Sequence, residues 1–143
     1  METAIKKLFD RYESCFGKAL AGETGMEEVV ALYATEMIGA SPLGVRSGRN
    51  DAQFRQMMAQ GYAHYRAIGT RGMRIRHLRL SAIDAYHCLA HVGWAATYAR
   101  DDLPETTVEF EVHYLVQVLA GEAKVFGWVS GDEQAELRRH GII

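Results

Sequence analysis

The apolar residues of this chain change period halfway along. Up to about Ile68 they recur every three or four positions, and from Met73 to Val129 they recur every second position. The first spacing puts apolar side chains on one stripe of a helix, and the second puts them on one face of a strand. Three amphipathic helices followed by a run of long antiparallel strands predict an α+β fold. In such a fold a strongly curved sheet wraps the helices and leaves a pocket between the two layers.

At 143 residues the chain is expected to form one domain, residues 1–143, and to bury roughly two-thirds of its unfolded surface. A formal charge of −2 carries no electrostatic footprint for nucleic acid or an anionic membrane surface, and neither is expected as a partner. No apolar run approaches the ~18 residues that span a bilayer, and the start Met1-Glu2-Thr3-Ala4-Ile5-Lys6-Lys7 has no signal-peptide core. Cys15 and Cys88 lie far apart without a partner motif, which suits a reducing compartment. A cytoplasmic location is expected.

The first helix carries Ile5, Leu8, Phe9, Tyr12, Phe16, Ala19 and Leu20 on one face, and Gly22 and Gly25 close it. Thr24-Gly25-Met26-Glu27 has the capping-box form and opens a second helix through Val29, Val30, Leu32 and Tyr33, expected to end near Thr35 or Glu36. Pro42 pushes Ser41 towards extended geometry, so Met37 to Arg49 reads as a short strand and loop. Asn50-Asp51-Ala52-Gln53 opens the third helix, with Asn50 as cap and Gln53 at the capping-box position. Its inner face is Phe54, Met57, Met58, Gly61, Tyr65 and Ile68, and Gly69 falls at C′.

Turn signals at Gly72, Ser81 to Asp84, Arg100 to Glu105 and Ala120-Gly121-Glu122 divide the second half into four candidate strands. Tyr86, Cys88, Ala90, Val92, Trp94, Ala96 and Tyr98 share one face of the second. Val108, Phe110, Val112, Tyr114, Val116 and Val118 share one face of the third, with Glu109, Glu111, His113 and Gln117 opposite. Gly93 is a bend point. Outward Leu89, Leu115 and Leu119 interrupt a polar face with apolar area, which predicts a homodimer through the outer sheet face. Ser130-Gly131-Asp132-Glu133 offers a last capping box before a terminal helical turn ending in Arg138, Arg139 and His140.

This order of elements, with the run Ala31-Leu32-Tyr33-Ala34 and the ending Phe126-Gly127-Trp128-Val129-Ser130-Gly131-Asp132-Glu133-Gln134, resembles the nuclear transport factor 2-like superfamily. That superfamily includes ketosteroid isomerase, scytalone dehydratase and polyketide-cyclase-like proteins, and the resemblance covers nearly the whole chain. It implies a cystatin-like cone in which three N-terminal helices pack in the curved sheet. It also implies a pocket lined by Tyr12, Phe16, Tyr33, Phe54, Met58, Trp94, Phe110, Val112 and Tyr114. These are the inward positions found from periodicity, and ordinary core packing is the alternative account of each. The expected ligand is small and apolar or amphipathic, and no cofactor is expected. Three readings stay open: a cofactor-free isomerase, dehydratase or cyclase using Tyr12, Tyr33 or His64; a ligand-binding protein without chemistry; and a dimeric interaction module with a filled core.

Other site grammars are absent: there is no Gly-x-Gly-x-x-Gly, P-loop, Cys-x-x-Cys or His-Glu-x-x-His. On a strand the spacing of His87 and His91 separates them by about 13 Å, too far for one ion, so no metal site is expected. His113 is placed to pair across to the same face. The basic run Arg71, Arg74, Arg76, Arg79 reads as a solvated surface with Glu109, Glu111, Asp101 and Asp102 as available partners.

By the resemblance, aligned without gaps, the family's oxyanion tyrosine falls on Tyr12, its catalytic base on Ser41 and its protonated carboxyl group on Val112. A neutral hydroxyl does not replace a carboxylate as proton acceptor near neutral pH, and a positioned base contributes about 10²–10⁴-fold. The expected outcome is therefore no turnover of a β,γ-unsaturated ketosteroid above buffer, followed by absorbance of the conjugated enone. Turnover that Tyr12→Phe abolishes would show that another residue serves as base.

Overall fold

Long alternating strands can stay in contact with a compact helical layer only by bending, and bending governs this architecture. The computed structural model describes residues 1–22 and 25–143. Its elements are α1 (Glu2–Leu20), α2 (Met26–Val30), β1 (Tyr33–Ser41), β2 (Gly44–Arg49), α3 (Ala52–Ala67), β3 (Thr70–Ala82), β4 (His87–Arg100), β5 (Leu103–Leu119), β6 (Glu122–Ser130) and α4 (Glu133–Arg139). The strands form one six-stranded sheet in the order β2-β1-β6-β5-β4-β3. Every neighbouring pair is antiparallel except β1 and β6, which run parallel and join the N-terminal hairpin to the meander. The result is the α+β cone that periodicity and the resemblance predict.

Trp94 pairs with Phe110 across β4 and β5, so the inward face lies where the alternation puts it. Against that face lie Ile5, Leu8 and Phe9 of α1, all essentially inaccessible to solvent, together with Val92, Trp94, Val116 and Val125. Full burial of side chains of this size contributes about 1.5–3 kcal/mol each. The ladder between β3 and β4 shifts register between Ile75 and His77, opposite Trp94 and Gly93. The Ile75 N–H at this irregularity donates to the Glu13 carboxylate, which ties α1 to the bend. The His77 ring covers Gly93, where an added Cβ would stand 2.2 Å from its Nε2. On the outer face His91 and His113 meet across β4 and β5 at 2.7 Å between Nδ1 atoms, and Arg76 pairs with Glu109 at 3.2 Å.

Several local expectations are corrected. The second helix ends at Val30, and Tyr33 begins β1 instead of continuing the helix. Tertiary donors take the carbonyls there: Asn50 Nδ2 reaches the Val30 and Tyr33 carbonyl oxygens at 2.8 and 3.2 Å, and the Val125 N–H reaches that of Leu32 at 2.9 Å. Asn50 thus serves α2 and β1, while Asp51 caps α3 by accepting from the Phe54 N–H at 3.0 Å. Residues expected as a strand and loop form the hairpin β1–β2, whose turn has Leu43 N donating to Ser41 Oγ. The capping box on Thr24 lies outside the described residues. At the last helix the cap is Asp132, accepting from the Ala135 N–H at 3.0 Å, because Ser130 is still strand.

On α3 the buried face is rotated: Met57 is 60% exposed and Tyr62 is buried. Tyr86 is exposed ahead of β4, in a turn made by the Asp84 carboxylate accepting from the Tyr86 and His87 amides. No helix among the described residues is long and apolar enough to cross a membrane.

Gly69 closes α3 as expected, with φ +90°. A Cβ there would lie 2.5 Å from Arg100 Cγ and 3.0 Å from the Ala99 carbonyl oxygen. Gly69→Ala is expected to lower unfolding free energy by more than about 1 kcal/mol in urea titration. Gly48→Ala, in open space on β2, is expected to stay within about 0.5 kcal/mol of the wild type.

Candidate functional site

Tyr12 sits on the α1 stripe between Phe9 and Phe16, one turn from each, and so points into the cone. Tyr33 enters as the first residue of β1, and Trp94 and Tyr114 come from the inward faces of β4 and β5. Tyr12 Oη lies 2.7 Å from Tyr33 Oη, and Trp94 Nε1–H donates to Tyr114 Oη at 3.1 Å. The Tyr12 ring also lies edge-on against that of Tyr114, so Tyr12 stands at the centre of the set. The rings pack at angles, with Tyr12 to Tyr114 at 5.5 Å, Tyr12 to Trp94 at 5.7 Å and Tyr12 to Tyr33 at 6.0 Å between centroids.

The proton count has a chemical consequence. Three phenolic hydroxyls hold three protons; one is used in the link between Tyr12 and Tyr33, and the Trp94 indole can only donate. The set therefore has hydroxyl protons to donate outside itself. Burial pushes all three phenols above their ordinary range, most strongly Tyr33 and Tyr114, each of which also has tyrosine neighbours that raise it. The set is a neutral hydrogen-bond donor at physiological pH.

Above it opens a cavity of about 290 Å³. Of the residues expected to line it, Tyr12, Phe16, Tyr33, Met58, Trp94, Phe110, Val112 and Tyr114 do so. Phe54 does not: its ring stands edge-on behind Tyr33 at 5.3 Å and faces a neighbouring groove. That groove also takes Ser41, so the residue aligned with the family's base stands outside the tyrosine cavity, whereas Val112 is in its wall. His64 is exposed on α3 and takes no part.

The structure adds Tyr62, Tyr65, Met73, Trp128, Ser130 and Glu133 to the wall. Trp128 was within reach of the sequence, since it pairs with Tyr114 across β5 and β6. Glu133 was not, because only the docking of α4 brings it to the rim, where its carboxylate accepts from Tyr65 Oη at 2.6 Å. Burial and this carboxylate hold the Tyr65 phenol well above its usual range. Among the described residues no group of three or more His, Cys, Asp or Glu side chains is arranged to hold a metal ion.

An aromatic cavity inside a helix-filled cone is the layout of the NTF2-like proteins. Residues 2–133 match the family described as NTF2-like protein (DUF6841), and the chain belongs to that family. Among solved structures it is similar to an NTF2-like protein with a cystatin-like fold from Novosphingobium aromaticivorans, at 11% identity and TM-score 0.69, over 99% of this chain and 88% of that one. An NTF-2 like protein of unknown function from Shewanella oneidensis MR-1 gives 14% identity and TM-score 0.68, over 92% and 100%. A ketosteroid isomerase-like protein from Erwinia carotovora atroseptica SCRI1043 gives 14% identity and TM-score 0.62, over 90% and 93%. No curated protein matches in sequence. At these identities the likeness carries the fold.

The tyrosine set makes a prediction at alkaline pH. In the unfolded chain a phenol ionises near about pH 10, while buried Tyr33 and Tyr114 keep their protons in the native state. Their contribution to stability is therefore full below about pH 10 and is lost as pH rises above it, by about 1.4 kcal/mol per pH unit for each such phenol. Tyr33→Phe is expected to make this fall shallower by one phenol's share, read from urea unfolding at a series of pH values.

Proposed function

We propose that this protein binds a small amphipathic molecule in the tyrosine cavity, with an oxygen of that molecule accepting a hydrogen bond from the hydroxyl pair of Tyr12 and Tyr33. The observation that carries the reading is a preorganised neutral donor at the floor of a largely aromatic space. Apolar walls with a few convergent polar groups are the usual make-up of a small-molecule site. The fold's relation to a ketosteroid isomerase-like protein is in keeping with it.

A buried donor left unmet costs free energy, so a ligand carrying a neutral hydroxyl or carbonyl oxygen is favoured over one without. Whether bound substrate reacts then depends on a proton acceptor; Ser41 stands outside the cavity, and the carboxylate in its wall, Glu133, is held at the rim by Tyr65. The reading therefore rests on binding, with a ligand oxygen as its anchor.

The test is a fluorescence titration with naphthol and naphthalene, two rings that differ by one hydroxyl. Naphthol is expected to bind saturably and about tenfold more tightly, the worth of one buried hydrogen bond. Tyr12→Phe should remove that advantage and leave naphthalene binding unchanged. Absence of saturable binding by either ring would end the proposal.

A further inference from the structure

Among the described residues the wall of the tyrosine cavity contains one charged side chain, Glu133, and no lysine, arginine or histidine. Two other carboxylates near this end of the molecule have arginine partners: Glu136 is held by Arg139 at 2.6 Å and Glu109 by Arg76 at 3.2 Å. Glu133 is met instead by a neutral donor, the Tyr65 hydroxyl at 2.6 Å. Its charge is positioned at the cavity rim but not compensated there.

The approach to the cavity has the same sign. A groove of about 500 Å³ between β5 and α4 shares Phe110, Val112, Ser130 and Glu133 with the cavity. It is lined further by Glu109, Glu111, Asp132 and Glu136; Arg139 pairs with Glu136 and Arg76 with Glu109, which leaves Glu111, Asp132 and Glu133 without a lysine or arginine partner among the described residues. A cleft of one sign repels ligands of that sign and concentrates those of the other. Behind Glu133 the walls are aromatic. Tyr65 lies 5.5 Å from Phe16 and Phe16 lies 6.2 Å from Trp94, centroid to centroid, and such ring faces attract a desolvated cation.

We infer that the ligand class of this pocket is a protonated amine on an aromatic or alicyclic ring, its ring within the aromatic walls and its ammonium group at Glu133. The inference rests on the reading of the cavity as a small-molecule site and adds the charge of what enters. Tyr65 occupies one carboxylate oxygen and holds the group at the rim, and the second oxygen is free to accept from the ammonium. An anionic ligand of the same shape would meet Glu133 with no cation to offset it.

The test compares three ligands of one ring system by calorimetric titration at low ionic strength: naphthylmethylammonium, naphthylmethanol and naphthoate. The ammonium is expected to bind about tenfold more tightly than the alcohol, and the carboxylate least well. Added salt should narrow the gap. Glu133→Gln, at an exposed position, is expected to bring the ammonium to the alcohol's affinity while leaving the alcohol within about twofold of its wild-type value. Saturable binding of the alcohol with no advantage for the ammonium, or an advantage that survives Glu133→Gln, would overturn the cationic ligand and leave the pocket reading standing. Failure of all three to bind would overturn both.

Discussion

Everything in this molecule depends on α1 lying in the concave face of the sheet. Ile5, Leu8 and Phe9 are fully buried there, and no other helix contributes as much to the centre of the core. The contact forces the long strands to curve. It is reinforced at the bend itself, where the Ile75 amide donates to Glu13 of the same helix. One further turn along α1, Tyr12 and Phe16 reach the part of the cone where the sheet has opened away. The helix that seals one end of the interior therefore builds the floor of the cavity at the other.

The cavity persists for reasons of shape and hydrogen bonding. Aromatic rings are rigid, and those of Tyr12, Tyr33, Trp94 and Tyr114 meet at steep angles that do not collapse into a dense stack. Each buried hydroxyl needs a partner, since an unmet polar group in such surroundings costs about 1–3 kcal/mol. Tyr12 and Tyr33 find theirs in each other, and Trp94 finds its acceptor in Tyr114. Satisfying these groups fixes the rings around Tyr12.

Helix ends explain most of the local departures from expectation. Val30, Ala31 and Leu32 have carbonyls that a continuing helix would bond internally. Asn50, Lys124 and the Val125 amide take them instead, and all three come from distant parts of the chain. Tyr33 thereby becomes a strand residue, parallel to β6, and swings its hydroxyl to Tyr12. Periodicity around Val29 to Tyr33 is compatible with one more helical turn, so no local pattern distinguishes the outcomes. Asn50 and Asp51 illustrate the same limit, because both are good caps and only the position of α2 decides that Asn50 is already engaged.

Alternation of apolar and polar residues along β4 and β5 determined strand pairing, register and the inward face, because a slip of one residue would turn Val92, Trp94 and Phe110 out into solvent. The helical stripe likewise determined that Tyr12 and Phe16 point inward, and together these patterns brought Tyr12, Phe16, Trp94, Phe110, Val112 and Tyr114 around one cavity. Only the tertiary structure decided where the charge lies. Glu133 reads as a capping-box residue of a short terminal helix, and its neighbours in sequence give no hint of Tyr65. Its position at the rim follows from the docking of α4 across the end of the cone, a contact between segments 68 residues apart. Hydrophobic periodicity records which face of an element is buried, whereas the meeting of two particular polar groups depends on how the elements close on one another.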